Sequence, residues 1–486
     1  MSEDVLLGSA TDMAAMVREK RISPSELLEM HFAQIDRVNP EINAVIWQNR
    51  DEAGKLARQL DEEAVQGRFR GPLHGVPITV KEAFDLVGSP STWGNPLWKE
   101  NLPGQDSEVV ERYRNAGAIV FGKTNVPLNL YEWQSFNEIY GTTSNPWDLT
   151  RGPGGSSGGS AAALATGMTA LEAGSDIGSS IRNPAHYCGV FGLKPTWGIM
   201  PMQGHLPPGW HCDIDIAVTG PMARHAVDLD LSFGILAGAD RFARPAWSVD
   251  CPHDNRQRVS DFRVAVKLGD DASPVDAGYL DMLHEFARSL EKAGAQVSLG
   301  HAPAIDSEAH FDLYLTMLGT AMAFAYSDAD VEAERASVEA MNDPVATRIL
   351  NPRVTGKLMS HRDWQMTDNA RRKARMVFDS FFQDFDILIA PVCASAAFPH
   401  DQVGKRHQRM ITVNGKPQIE MLQLFWSGYS GVVGLPSAVG PAGFVNGLPV
   451  GYQAIAGHGR DRTALAFARA VEREIIGYSP PPIIAN

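Results

Sequence analysis

The chain has 486 residues, of which 44% are hydrophobic and 21% charged, a composition typical of a globular protein with a large core. Its formal net charge of −14 argues against a basic surface for nucleic acid or anionic membranes. The four cysteines, which lie far apart and form no CxxC pair, argue against a disulfide framework and a zinc site.

Residues 1–65 predict helices packed around one short strand. Ser23-Pro24-Ser25-Glu26 is a capping box with proline at the first helical position, and apolar residues follow it at helical spacing. Residues 43–47 predict a strand, and residues 51–66 predict a charged amphipathic helix. No residue pattern in this segment indicates chemistry, so we expect it to pack around the core.

A lysine follows the next apolar segment. Residues 77–80 (PITV) are short and β-branched, which places Lys81 at the end of a buried strand. A lysine in such a position is usually a surface residue whose charged end reaches water. Residues 107–115 then predict a helix and residues 118–122 a strand. Residues 125–147 are rich in aromatic and amide side chains, which most often fill a core but also form a candidate pocket wall here.

Residues 152–195 contain two glycine-serine runs. The stretch opens with GPGGSSGGS, continues through an alanine-rich part, reaches Gly178-Ser179-Ser180 and ends in the apolar CGVFGLKP. We expect a helix from about residue 157 and a strand near residues 170–174. A flexible linker would contain neither the alanine-rich part nor the apolar end. Because glycine lets backbone amides approach a substrate closely, the two runs predict two walls of one site.

The remaining chain alternates strands with helices. Residues 196–210 are broken by proline and glycine and predict a loop at the mouth of a pocket. Residues 263–267, 275–293 and 296–298 predict a strand, a helix and a strand. Residues 310–384 predict mostly helix, residues 386–391 a strand and residues 461–475 a final helix. This alternation indicates α/β layers.

Three positions carry a family resemblance. Lys81, Ser156 and Ser180 are separated by 75 and 24 residues, and flanking blocks occur at Gly122-Lys-Thr-Asn125 and at residues 447–453, GLPVGYQ. With this spacing the chain resembles the amidase signature family, serine hydrolases that use a Lys–Ser–Ser triad on amide bonds. A triad with flanking blocks in order is far more specific than one short motif.

The resemblance implies an α/β fold with a central mixed sheet covered on both faces by helices. Because the motifs run from residue 75 to residue 453 and must converge, we expect a single domain over residues 1–486. Within it, residues 1–65 form the helical packing, about 66–257 and 386–480 the catalytic core, and about 258–385 a variable, mostly helical region beside the pocket. No cofactor and no metal are expected.

The resemblance also assigns roles to the residues. Ser180 attacks the carbonyl, Ser156 bridges it to a neutral Lys81, and the Gly155–Ser156 peptide is cis. Backbone N–H groups of Ile177, Gly178, Ser179 and Ser180 hold the oxyanion, and Leu130 and Tyr131 contact the substrate. The family usually has glycine where Ser179 stands, so the sequence departs from the family pattern at one of the oxyanion donors. Asp176 and Arg182 are expected to anchor the loop.

The predicted function is hydrolysis of amide carbon–nitrogen bonds through an acyl-enzyme, and the same acyl chemistry extends to carbamates (urethanes) and esters. The alternative is an amidotransferase-type subunit that works with a partner on a tRNA-linked substrate, and a third is a catalytically silent binding protein. The triad argues against silence, and the acidic balance weakens the tRNA-linked interpretation. We expect a small-molecule amide or carbamate substrate, with no nucleic acid or membrane partner, and leave a homodimer open.

Other catalytic motifs fit less well. Residues 154–158 match G-x-S-x-G, but the apolar strand that should precede a nucleophile elbow is absent. No Gly-Lys-[Ser/Thr] closes the glycine run as in a P-loop. Arg288 stands where the second histidine of a zinc motif beginning at His284 would be.

Aromatic and methionine residues suggest a roomy apolar pocket, formed by Tyr131, Trp133, Phe136, Met200, Leu206, Trp210, Met317 and Met322. The amino terminus lacks the basic flank and continuous apolar core of a signal peptide. No uncharged apolar run reaches membrane-spanning length. We therefore expect a cytoplasmic protein.

Overall fold

The computed structural model describes residues 2–484, and its amino-terminal part is helical around one strand. The elements there are α1 (Ser2–Leu7), α2 (Ala10–Arg18), α3 (Pro24–Ile42), β1 (Val45–Gln48) and α4 (Arg50–Val65). The predicted capping box starts α3: Ser23 Oγ accepts the Glu26 N–H at 3.2 Å, and the Glu26 carboxylate accepts the Ser23 N–H at 2.8 Å. The opening segment is therefore built as its sequence predicts.

The next segment contains short strands and small helices. They are β2 (Pro77–Lys81), α5 (Glu108–Asn115), β3 (Ile119–Thr124), β4 (Phe136–Asn137), β5 (Gly141–Thr142), α6 (Gly158–Ala165), β6 (Glu172–Asp176), α7 (Arg182–Cys188), β7 (Phe191–Lys194), β8 (Val218–Ala223) and α8 (Ala226–Leu236). The first glycine-serine run continues into the first turn of α6, and the second lies just before α7. Each run therefore leads into a buried helix.

The last part of the described chain completes the layers. It contains β9 (Arg263–Val266), α9 (Ala277–Lys292), β10 (Gln296–Leu299), α10 (Ser307–Met322), α11 (Asp328–Glu339), α12 (Pro344–Lys357), α13 (His361–Asp384), β11 (Ile387–Pro391), β12 (Met410–Val413), β13 (Lys416–Ile419), α14 (Leu424–Gly431), β14 (Ser437–Val445), β15 (Leu448–Ile455) and α15 (Asp461–Glu474). None of the helices within residues 2–484 combines the length and apolarity needed to cross a membrane.

The core is organised on an eight-stranded sheet in the order β10-β9-β11-β15-β14-β7-β8-β6. Strands β10, β9 and β11 pair in parallel, and the remaining pairs are antiparallel, so the sheet is mixed. Helices flank this sheet, which confirms the predicted fold class. The region 258–385 is mostly helical, but its strands β9 and β10 are part of the central sheet.

A second, three-stranded sheet was not predicted. Its order is β1-β3-β2, with β2 parallel to β3, and both β2 and β3 are buried along their whole length. Strand β2 ends at Lys81, while β6, the edge strand of the large sheet, packs beside β2 and ends at Asp176. The candidate site therefore lies where the two sheets meet.

Candidate active site

Lys81 is fully buried at the end of β2, and its Nζ is surrounded by serine hydroxyls. It lies 2.6 Å from Ser156 Oγ, 3.0 Å from Ser157 Oγ and 3.0 Å from Ser175 Oγ. No carboxylate within residues 2–484 forms an ion pair with it. Three hydroxyls can exchange donor and acceptor roles with an amine, so the pocket accommodates Lys81 without its charge.

Burial lowers the pKa of Lys81 from 10.5 to about 7, against the opposing attraction of Asp176, Glu172 and Glu82. Burial also raises the pKa of Glu172 to about 8, so this neighbour is mostly protonated at neutral pH. The Glu82 carboxylate accepts the backbone N–H groups of Thr92 and Trp93 at 2.5 and 2.9 Å. Lys81 is therefore balanced between amine and ammonium near neutral pH, as a general base requires.

Ser156 follows a cis peptide bond from Gly155. A Cβ on Gly155 would overlap the backbone oxygen of Glu132, so only glycine permits this close approach. The neighbouring Ser157 N–H donates to the Ser180 carbonyl at 3.1 Å. This hydrogen bond joins the two glycine-serine runs directly, and Ser156 and Ser180 line one cavity.

Asp176 and Arg182 fix the loop that contains Ser180. The Asp176 carboxylate accepts the N–H groups of Ser179 at 2.9 Å and Ile181 at 3.2 Å, and it pairs with the fully buried Arg182 guanidinium at 2.9 Å. Burial alone would raise the pKa of Asp176, but Arg182 holds it below its ordinary value. Arg182 also donates to Gln453 at 2.7 Å. These contacts are those of loop anchors, as expected.

Two side chains orient the peptides before Ser180. Tyr314 OH donates to the Ile177 carbonyl at 3.0 Å, and Trp133 Nε1 donates to the Gly178 carbonyl at 2.7 Å. In a trans peptide the N–H points opposite to the carbonyl, so these contacts also direct the N–H groups of Gly178 and Ser179. One of the four expected oxyanion donors has an acceptor within the protein. The Ser179 N–H donates to the Asp176 carboxylate at 2.9 Å.

The other three expected oxyanion donors are the N–H groups of Ile177, Gly178 and Ser180. Within residues 2–484 none of the three donates to a protein acceptor.

Ser179, where the family usually has glycine, has φ +71°, a left-handed conformation that costs a non-glycine residue ~1–2 kcal/mol. Its buried hydroxyl has no hydrogen-bond partner in the described chain. The serine is therefore accommodated at a local cost in stability.

Ser180 is 5% exposed and lies between two small cavities. One, of about 50 Å³, is lined mostly by apolar side chains, together with Asn129, Ser156, Ser175, Asp176 and His205. The other, of about 40 Å³, is lined by Tyr131, Trp133, Arg353 and Arg406. Leu130 and Met322 line both cavities, so the predicted substrate residues Leu130 and Tyr131 do border the Ser180 space.

The expected roomy apolar pocket does not lie at Ser180 itself: Tyr131, Trp133 and Met322 border the small cavities there, and Tyr131, Phe136 and Met322 line a larger outer cavity of about 780 Å³. Met200, Leu206 and Met317 are buried in the hydrophobic core, and none of them lines either cavity at Ser180. Trp210 stacks on Phe324 and lines a separate cavity of about 460 Å³ farther out. The space around the nucleophile is narrow, and it is polar on one side.

Sequence reasoning missed Ser157, Ser175 and Tyr314 as parts of the site, and it placed Trp133 in the pocket without its hydrogen bond to Gly178. Ser157 and Ser175 stand next to predicted features, one beside Ser156 and one beside Asp176, and that adjacency was the available signal. Tyr314 comes from α10, more than 130 residues away in the chain, and no local pattern connects it to Ile177. Within the described residues, no cluster of three His, Cys, Asp or Glu side chains could hold a metal ion.

Comparison with known proteins agrees with this geometry. The family model described as Amidase matches residues 26–465. This chain belongs to the amidase signature family. As a member of this family it is a hydrolase that acts on amide carbon–nitrogen bonds.

Relatives within the amidase signature family differ in what they act on. The chain is 31% identical to an indoleacetamide hydrolase from Bradyrhizobium diazoefficiens, over 96% of this chain and 86% of the relative. It is 33% identical to an acylamidase from Rhodococcus erythropolis, over 96% and 94%. It is also 30% identical to a glutamyl-tRNA(Gln) amidotransferase subunit from Carboxydothermus hydrogenoformans, over 96% of each chain. A bacterial aryl acylamidase of the family has the same fold, with a TM-score of 0.82, 25% identity and 99% of each chain covered.

Proposed function

We propose that this chain hydrolyses small amides by itself, through an acyl-enzyme on Ser180, with Ser156 as the proton bridge and neutral Lys81 as the base. The observation that carries the proposal is the 2.6 Å contact between Lys81 Nζ and Ser156 Oγ in a fully buried pocket, where no carboxylate of the described chain forms an ion pair with the lysine. A lysine held near neutral pKa by burial can accept a proton that an ammonium cannot.

The first half-reaction forms the acyl-enzyme. Lys81 takes the proton of the Ser156 hydroxyl while Ser156 takes the proton of Ser180, and the Ser180 oxygen bonds to the substrate carbonyl carbon. The ammonium then returns the proton through Ser156 to the amide nitrogen. The carbon–nitrogen bond breaks, the amine leaves and the acyl group stays on Ser180.

The second half-reaction repeats the relay with water. Water gives a proton through Ser156 to Lys81 and attacks the acyl carbon, and the returned proton releases Ser180 with its hydroxyl restored. The products are an amine and a carboxylic acid, and the enzyme ends in its starting protonation state. Carbamates and esters fit the same sequence, because each presents an acyl carbon with a heteroatom leaving group.

For the oxyanion we propose the N–H groups of Ile177 and Gly178, with that of Ser180. Their support is that no protein acceptor in the described chain uses them, and that Tyr314 fixes the peptide that contains the Gly178 N–H. A preorganised donor of this kind stabilises charge that develops only in the transition state. Ser179 is left out, because Asp176 accepts its N–H.

An amidotransferase-type role is the second candidate, favoured by the whole-length likeness to the glutamyl-tRNA(Gln) amidotransferase subunit. It differs in one measurable requirement, because a subunit of this type works with a partner. The purified chain should therefore be assayed alone, without ATP, on a simple anilide and a primary amide. Hydrolysis by the lone chain supports the amidase proposal, and activity that appears only with a partner supports the alternative.

The residue assignment is tested with Ser180→Ala on anilide, primary amide, carbamate and ester substrates. Turnover should fall to background on all of them, because the nucleophile is absent, while the melting temperature stays close to wild type. Ser289→Ala, a change on the exposed side of α9, is the matched control and should keep full activity. Near-normal activity of Ser180→Ala would refute the assignment.

A further inference from the structure

Arg353, on α12, is a buried guanidinium without a carboxylate partner at the cavity beside Ser180. It is 1% exposed, and no ion pair involves it within residues 2–484. Its Nη1 lies 3.9 Å from Met421 Sδ, a weak acceptor, and its buried Nε has no partner in the described chain. Burying an uncompensated charge is costly, so this arrangement points to a missing anion.

A second buried arginine, Arg224, has different hydrogen-bond partners from Arg353. Arg224 also forms no ion pair among the described residues, but it donates to the carbonyls of Leu164, Thr169 and Gly8. Its charge is thus solvated by backbone oxygens. Arg353 has no such oxygen partner among the described residues, and instead it borders an open cavity. A guanidinium that has no oxygen partner and borders a cavity can bind an anionic ligand there.

The charges around the cavity do not balance. Arg406 pairs with Glu420 through contacts of 2.8 and 3.0 Å, and Arg409 pairs with Glu132 at 2.6 Å. Glu132, which lines this cavity, and Glu420 therefore each have their own guanidinium. Arg353 is the third guanidinium near this cavity, and no carboxylate within residues 2–484 forms an ion pair with it.

The position of Arg353 is held firmly. A Cβ on Gly319 of α10 would overlap the backbone oxygen of Arg353, and a Cβ on Gly356 would overlap the backbone oxygen of Thr316. The two helices are therefore packed in direct backbone contact. The Tyr131 ring lies between two guanidiniums, 5.1 Å from Arg353 Cζ and 5.5 Å from Arg406 Cζ. The cation is thus preorganised for a partner at one place.

The two cavities at Ser180 indicate where the amine side and the acyl side of the substrate lie. In the proposed mechanism Ser156 returns the proton to the leaving nitrogen, and Ser156 lines only the apolar one of the two cavities at Ser180. The amine side therefore occupies that cavity, and the acyl side extends toward Arg353. We infer that the preferred substrates are amides whose acyl group has a short chain ending in a carboxylate, and that Arg353 binds this carboxylate.

This inference rests on the proposed function and adds the substrate class. The outer cavity of about 780 Å³ shares Tyr131 and Arg406 with the Arg353 cavity, so an acyl chain has a path to it. A carboxylate fits the guanidinium fork through two parallel hydrogen bonds, and a neutral group of the same size does not. The class is thus the monoamide of a dicarboxylic acid.

The test compares two anilides of equal acyl length, the monoanilide of succinic acid and N-phenylpentanamide. In wild type, kcat/KM for the charged anilide should exceed that for the neutral one by roughly 30-fold or more, the range for a buried, hydrogen-bonded charge pair. Succinate alone should inhibit competitively, and 1,4-butanediol should not. Equal kcat/KM values together with no inhibition by succinate would overturn the inference.

Arg353→Met and Arg353→Lys complete the test. The preference ratio should collapse toward one in Arg353→Met and fall partly in Arg353→Lys, which keeps the charge but not the fork. Arg348→Met, on the same helix but directed at Glu308 on the surface, is the matched control and should keep the wild-type ratio. An unchanged ratio in a folded Arg353→Met would refute the inference.

Failure here is distinguishable from failure of the proposed function. If both anilides are cleaved equally and Ser180→Ala is inactive, the mechanism stands and the substrate class is wrong. If Ser180→Ala still cleaves either anilide, the mechanism itself is wrong. The substrate comparison in wild type also decides the case if Arg353→Met does not fold.

Discussion

The lowered pKa of Lys81 predicts that the stability of wild type and of Lys81→Met will diverge with pH. The difference between 10.5 and about 7 corresponds to about 5 kcal/mol of unfavourable interaction with the ammonium form. Below pH 7 the lysine is charged in both folded and unfolded chains, so the whole penalty applies. Between pH 7 and pH 10.5 the unfolded chain binds more protons, so the stability of wild type rises with pH.

The magnitude follows from these two pKa values. From pH 6 to pH 9 the contribution of Lys81 to the free energy of unfolding rises by about 2–3 kcal/mol. Methionine keeps the bulk of the side chain but does not titrate. The advantage in stability of Lys81→Met over wild type should therefore be largest at pH 6 and smaller by this amount at pH 9.

The assay is urea unfolding of both proteins at pH 6, 7.5 and 9 and constant ionic strength, followed by circular dichroism. Lys55→Met is the control, because Lys55 lies on the surface of α4 and its loss should leave this pH dependence unchanged. A difference between wild type and Lys81→Met that stays constant across the three pH values would refute the reasoning, because Lys81 would then keep an ordinary pKa.

Five further predictions concern activity and the loop. In wild type, kcat/KM should rise with pH with an apparent pKa near 7, and a profile that is flat from pH 6 to 9 would contradict the role of Lys81. Lys81→Ala should lose roughly 10²–10⁴-fold in kcat/KM, more on an amide than on a matched ester, because an amine leaving group needs the returned proton. Ser179→Gly should raise the melting temperature by removing a Cβ from a left-handed position, while Ser179→Ala, which keeps the Cβ, should not. Tyr314→Phe should lower kcat more than it raises KM. Leu130→Trp should change the ranking of substrates more than it changes the melting temperature. An equal loss of activity on all substrates with a large fall in melting temperature would show instead that Leu130 serves the packing of the core.

Much of the fold could be predicted because its signals are local. Ser23 and Glu26 cap α3 through contacts three residues apart, and the apolar run before Lys81 identifies β2. The triad was found through a family resemblance in spacing, since the bare sequence favours a surface role for a lysine after an apolar run. The structure brings Lys81 and the two glycine-serine runs together.

What the sequence did not predict depends on distant contacts. Nothing near residue 179 shows that its N–H is accepted by Asp176, because the turn geometry decides it. The missing partner of Arg353 becomes visible only when Glu132 and Glu420 are seen to pair with other arginines. The narrowness of the Ser180 space depends in the same way on how α10 and α12 pack.

The central claim, an acyl-enzyme on Ser180, is tested most directly by trapping that intermediate. Wild type is mixed with a p-nitrophenyl ester, quenched in acid during the burst and analysed by intact-protein mass spectrometry, with Ser180→Ala in parallel. Trypsin releases residues 152–182 as one peptide that contains both Ser156 and Ser180, so fragment ions must locate the acyl group. The account predicts one acyl group on Ser180 and none in Ser180→Ala. An acyl group on Ser156, or labelling that persists in Ser180→Ala, would contradict it.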